Sequence, residues 1–192
     1  GRDGGEGDCL VFYNYKDIEK LEKFLQGKPV AEQEIGKQLL SEMVSFAETS
    51  VCRRKFILHY FGEEFNEHNC SNLCDNCKNP KEKSEGKEYM KLLLESLVDL
   101  QEQQKCKHYC SYLVGNLTSD IKSYKHDQLP GFGKGKEKDE NFWNSLIRQA
   151  LVYGFISKDI ESYGVMKLTD KGHEFIKNPV SFTIVKEHDY ST

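Results

Sequence analysis

Cys52-Arg53-Arg54, with seventeen residues between Cys52 and the run Cys70-Ser71-Asn72-Leu73-Cys74-Asp75-Asn76-Cys77, is the stretch on which the fold turns. Four thiols at this spacing suit one tetrahedral Zn2+, which takes soft ligands at about 2.3 Å and accepts two thiolates from a single tight turn. Cys74 and Cys77 form that turn, Cys70 approaches from just before it, and Cys52 is brought in from the start of a helix read over Arg53 to Tyr60. Four protein ligands leave no position for water, so the expected metal is structural, with folding coupled to its binding. The competing reading, a pair of disulfides, belongs to secreted chains.

The sequence opens without an apolar leader and holds no uncharged apolar run of about eighteen residues, the length that would suggest a membrane span. Its seven cysteines are an odd number. These features predict a reducing compartment, either bacterial cytoplasm in association with the nucleoid or a eukaryotic nucleus. The 192 residues allow one ordinary domain or two small ones. The net charge of −4 argues against a wholesale polyanion binder. It is also uneven: residues 1–50 hold 10 acidic and 6 basic residues, leaving 21 of each beyond. A nucleic-acid surface must therefore come from local clusters of lysine.

Outward from the cysteines, the pattern is mainly helical with little β. Cys9 to Tyr13 is a short apolar run of strand type after a glycine-rich opening, and Asp17 is placed to cap a helix carrying Ile18, Leu21 and Leu25. A second helix runs from Ala31 to about Thr49. Residues 78–88 lack a large apolar side chain and have the composition of a linker, which puts a domain boundary there. Beyond it, Tyr89 to Leu100 and Tyr109 to Leu117 read as amphipathic helices, with a further turn near Ile121. Asn141 to Tyr153 reads as a third helix, half buried. Two short β-prone runs, Phe155 to Lys158 and Gly164 to Leu168, come next, and Thr169 caps a last helix through Ile176. Three helices followed by a hairpin is the order of a winged helix.

In this order the residues resemble the RecQ family of DNA helicases over nearly the whole chain. Gly1-Arg2-Asp3-Gly4 with Cys9-Leu10-Val11-Phe12-Tyr13 and Asp17 is similar to the end of helicase motif VI and the strand after it. Cys52-Arg53-Arg54, Tyr60-Phe61-Gly62-Glu63 and Cys74-Asp75-Asn76-Cys77 resemble the RecQ zinc-binding subdomain. His126-Asp127-Gln128-Leu129-Pro130, Gly133-Lys134-Gly135-Lys136, Trp143, Leu146-Ile147-Arg148-Gln149 and Tyr163 through Gly172 resemble the RecQ C-terminal (RQC) winged helix. The resemblance implies a remnant of the second RecA-like motor domain over 1–30, a zinc-binding subdomain over 31–80, a linker over 81–88, the winged helix over 89–185 and a tail over 186–192. It further implies a parent enzyme that unwinds DNA 3′-to-5′ with ATP and Mg2+ in repair, recombination and replication. Arg2 matches the arginine-finger position of that parent. The sequence has neither a P-loop nor an Asp-Glu-x-His box, so the chain alone is expected not to hydrolyse ATP.

For double-stranded or forked DNA, the residues assigned to contact are Ser119 and Lys122 at a helical turn, Lys134 and Lys136 in the glycine-rich loop, and Asn141, Asn144 and Arg148 on the exposed side of the third helix. Lys158 and Tyr163 of the hairpin complete the set, the tyrosine as a stacking wedge at a duplex end. The glycines of the loop are read as permitting close approach to phosphate. An alternative reading makes the winged helix a docking module for another protein, such as single-stranded-DNA-binding protein in bacterial relatives. Cys106, His108 and Cys110 suggest a second metal site but have no fourth ligand nearby, so Cys106 and Cys110, like Cys9, read as small buried thiols. His59 and His68 are redundant beside four thiols, and Trp143 reads as a core anchor.

Overall fold

In the computed structural model, residues 4–159, 161–188 and 190 are described; Arg2, the expected arginine finger, lies outside them. The chain divides into two units, residues 1–47 with 189–192, and residues 48–188.

In the first unit, Asn14 rather than Asp17 caps the opening helix: the Asn14 side chain accepts the backbone N–H of Asp17 at 3.2 Å, and α1 runs Tyr15–Leu25. Starting the helix earlier leaves Asp17 in the first turn, where its charge favours the helix dipole. Pro29 precedes α2 (Val30–Glu48). Leu25 lies over Gly36, where a Cβ would come within 2.4 Å of the leucine methyl. Apolar side chains of both helices are exposed, with Phe24 75%, Ile35 52%, Leu39 52% and Met43 58%. Cys9 to Tyr13, expected as a strand, has no regular structure, because no strand among the described residues pairs with it.

The second unit begins with α3 (Arg53–Tyr60), a 3-10 turn at Glu67–Cys70 and the one-turn α4 (Asp75–Lys78). Within the segment expected as a linker, Lys83–Glu85 forms strand β1. Next come α5 (Lys87–Asp99), α6 (Cys106–Val114), the short α7 (Ser119–Ser123) and α8 (Glu140–Val152). Strands β2 (Ile156–Asp159) and β3 (Val165–Leu168) pair antiparallel as the wing, with Ile156 opposite Leu168. After them α9 (Asp170–Lys177) starts on Thr169, whose hydroxyl accepts the N–H of Gly172, and β4 (Thr183–Val185) pairs antiparallel with β1. The architecture is mainly helical with two small sheets, a winged helix joined to the cysteine loop.

Its core is made by Leu93, Leu94 and Leu97 of α5, Tyr109, Tyr112 and Leu113 of α6, and Trp143, Leu146, Ile147 and Ala150 of α8, all fully or almost fully buried. Burying side chains of this size stabilises by roughly 1.5–3 kcal/mol each. Among the described residues no helix is long and apolar enough to cross a membrane.

Two expectations about this unit change. The glycine-rich loop is packed inward: Gly135 lies on Trp143, where a Cβ would come 2.4 Å from the ring, and Gly131 sits against Asp99 and the Tyr112 hydroxyl. Its backbone is tied down, Gly133 N–H to Tyr112 C=O at 2.9 Å and Gly135 N–H to Leu113 C=O at 2.8 Å. The glycines serve helix packing. The second change concerns α8, which is covered on both sides: Gln149 clasps β4, donating to Val185 C=O at 2.9 Å and accepting its N–H at 3.0 Å.

Candidate metal centre and nucleic-acid interface

Each metal ligand is placed by a helix end. Cys52 is the residue before α3, Cys70 closes the 3-10 turn, Cys74 precedes α4 and Cys77 lies within it. Ser71 and Asn72 take left-handed backbone conformations, φ 51° and 58°, which turn the chain sharply enough for Cys70 and Cys74 to face one another. Polar side chains tolerate this region better than branched ones. The four Sγ atoms all lie within 4.8 Å of one another, and Cys70 is completely buried. A zinc tetrathiolate with bonds of about 2.3 Å has sulfurs ~3.8 Å apart, so the donors fit the ion in number, chemistry and separation. Without metal the thiols share protons unequally. Burial acts to raise Cys70, but the N–H of Cys74 and the neighbouring thiols bring it down to about 7, whereas burial pushes Cys77 well up. A divalent cation removes that conflict by ligating all four as thiolates.

The loop is fixed to its surroundings by residues that the cysteine pattern did not flag. Asn76, 5% exposed, donates to the carbonyls of Thr49 and Val51, both at 2.8 Å, and receives His188 Nε2–H at 2.7 Å. Arg53 forks onto Asp75, with Nε–Oδ1 and Nη2–Oδ2 both 3.0 Å. That guanidinium holds the Asp75 carboxyl below the usual carboxylate range despite some burial. Glu67 accepts the Tyr153 hydroxyl at 3.0 Å, and Lys55 stands 4.7 Å above the same ring while donating to Phe65 C=O. The signal for Asn76 was its place inside the knuckle, where an amide can reach neighbouring carbonyls.

The residues assigned to DNA divide. Ser119 and Lys122 are exposed on α7, Lys134 and Lys136 are exposed on the constrained loop, and Asn141 is exposed at the start of α8. Arg148 is not on an open face: it is 9% exposed and salt-bridged to Glu48 at 2.7 Å and Glu187 at 2.6 Å. Burial works against its charge, but Glu187 and Glu48 outweigh it. Burial in turn raises Glu187, whose Oε1 makes no hydrogen bond. An arginine clamped between two buried carboxylates is withheld from phosphate. Asn144 is half-buried and accepts the Cys106 thiol at 3.1 Å. Lys158 is half-buried on the wing. Tyr163 is 48% exposed at the wing turn, with φ 54° and Lys105 Nζ 5.9 Å from its ring. The turn is short and held by Asp159, which accepts the hydroxyl and N–H of Ser162.

A four-cysteine loop joined to a winged helix defines a two-part module, a metal-binding staple and a winged-helix domain. Residues 15–78 match the family model described as RecQ zinc-binding, and residues 80–192 match the RQC domain. The chain is 30% identical over 179 residues to the ATP-dependent DNA helicase RecQ of Pasteurella multocida, covering 92% of this chain and 28% of that protein. It is equally similar to the Haemophilus influenzae protein of the same name, 30% over 92% of this chain and 29% of the relative. It is 26% identical over 188 residues to the ATP-dependent helicase SGS1 of Saccharomyces cerevisiae, covering 92% and 13% respectively. This chain belongs to the RecQ helicase family, whose zinc-binding and RQC domains it carries, with structural Zn2+ as the cofactor of the first. It spans less than a third of the length of these relatives.

Proposed function

We propose that the chain is the part of a RecQ-type ATP-dependent 3′-to-5′ DNA helicase that holds duplex or forked DNA, acting in repair, recombination and replication. In this reading the zinc subdomain over 31–80 fixes the winged helix over 89–185 in place, and Arg2 serves the ATP site of the parent motor. On its own the chain turns over no ATP. Carrying the reading is the placement of Lys134 and Lys136, exposed on a loop whose backbone is immobilised by Tyr112, Leu113 and Trp143. Cations on a rigid support lose little entropy on meeting phosphate, and Ser119, Lys122 and Asn141 extend the same polar set. Arg148 is left out of the interface and Asn144 contributes at its edge.

The α8 helix, almost covered, is unsuited to enter a major groove, so contact falls to α7, the loop, the first turns of α8 at Asn141 and Asn144, and the wing. Tyr163 and Lys158 are the wing's contribution, with the tyrosine against a terminal base pair.

A salt titration of binding to a forked duplex tests this. The observed constant should fall on a log–log plot by about 0.9 per phosphate neutralised. A flat dependence, or no binding, rejects the reading in favour of a protein-docking module.

A further inference from the structure

Tyr124 follows α7 and is 62% exposed. It stacks on His126, with centroids 5.4 Å apart and planes inclined by 20°. His126 Nδ1 in turn meets His108 Nε2 at 2.8 Å, and those two rings stand edge to face at 5.0 Å. His108 also meets the Tyr124 ring edge to face, centroids 6.3 Å apart, so the three rings close a compact cluster in which both imidazoles back the exposed tyrosine. Lys125, between the stacked residues, has φ 58°. That left-handed conformation is unfavourable for a lysine, and such strain persists where the surroundings impose it. An exposed tyrosine adds little to the core, so a packing role does not explain the arrangement.

The chemistry of the cluster is specific. Burial lowers the affinity of both imidazoles for protons, so the stack is uncharged at neutral pH; Asp120 opposes this at His108 and Asp127 at His126. Lys122 and Lys125 are exposed on either side of Tyr124, and Lys107 is exposed next to His108. A flat neutral ring, backed by a second ring and flanked by cations, matches a π-faced ligand carrying negative charge at its edge.

We propose that Tyr124, supported by His126 and His108, is a stacking platform for an unpaired nucleobase of DNA. The site lies next to Ser119 and Lys122, so a single-stranded branch leaving a duplex held there would place a base on the ring. This rests on the DNA-binding reading above and adds a site for the unpaired branch.

The test compares the full chain with Tyr124→Ala and Tyr124→Phe on two probes of equal duplex length, one blunt and one with a single-stranded branch carrying 2-aminopurine. Stacking is worth about 1–3 kcal/mol per base, so Tyr124→Ala should weaken the branched probe roughly 5- to 150-fold, lose the quenching of 2-aminopurine, and bind the blunt probe as before. Tyr124→Phe should behave like the parent chain. Equal affinity of Tyr124→Ala and parent for the branched probe overturns the platform while leaving duplex binding intact. Equal weakening on both probes also overturns it, making Tyr124 a duplex contact. If the parent chain binds neither probe, the DNA-binding reading falls and the platform with it.

Discussion

Arg148 and Glu48 meet at 2.7 Å, both side chains almost wholly shielded from water. With Glu187 on the other side, one cation serves two carboxylates and ties the residue opening the second unit to one near its end. Replacing Arg148 by Met should cost about 3–5 kcal/mol, because it takes the shared cation away from two almost fully buried carboxylates. Urea unfolding of zinc-loaded protein measures this. Combining the change with Glu48→Gln and Glu187→Gln should recover most of the loss.

Cys74→Ser removes one thiolate from a closed shell. Structural zinc contributes on the order of 10 kcal/mol to folding in small modules, so the variant should lose stoichiometric zinc and the ordered structure of residues 52–77. Metal analysis after dialysis, with proteolysis of the loop, reads both. Parent protein stripped by a chelator should show the same cleavage pattern.

Asn76→Ala keeps all four thiols but frees the carbonyls of Thr49 and Val51. Each buried acceptor left unsatisfied costs about 1–3 kcal/mol, so the free energy of unfolding, read from urea titration, should fall by about 2–6 kcal/mol with zinc still bound. Asn76→Asp should be at least as damaging, since a carboxylate cannot donate to either carbonyl.

Lys134→Ala with Lys136→Ala should leave stability unchanged and lower the log–log salt slope of duplex binding by about 1.8, two phosphates' worth. Gly135→Ala separates loop rigidity from charge: its Cβ meets Trp143, and overpacking of this kind costs about 1–3 kcal/mol.

The His108–His126 pair gives stability a pH dependence of defined sign. Both folded-state pKa values lie below the ordinary value of about 6.5 that an unfolded histidine has. Below that pH the unfolded chain binds more protons than the folded one, so this contribution is present above pH ~6.5 and lost as pH falls toward the folded values. Asp120 and Asp127 face the pair and soften the loss. Urea midpoints at pH 7.5 and 5.5 should converge when both histidines are replaced by Gln, relative to the parent.

Much of this was legible in the chain. The cysteine spacing marked the metal centre because tetrahedral ligation demands it, and the apolar period of α5, α6 and α8 marked the winged helix because those faces are one core. Arg148 misled because charge on a helix reads as solvent exposure, while its cover comes from Glu48 and Glu187, distant in sequence. Lys83-Ser84-Glu85 has no strand-forming character of its own; it pairs with β4 because Ile184 must pack over Gly86, where a Cβ would come within 2.2 Å of its side chain. Glycines that support Trp143 look, by composition, like glycines that cradle phosphate.

The hydrogen bond from His188 to Asn76 joins the knuckle to residues made much later during synthesis. Cysteines 52 to 77 can gather an ion as soon as they leave the ribosome. Translation at ~5–20 residues per second then leaves the flank of that nascent loop uncovered for several seconds until β4 and His188 emerge. Metal captured at that stage would hold the loop before its late partners arrive, so zinc-starved cells should accumulate aggregated product.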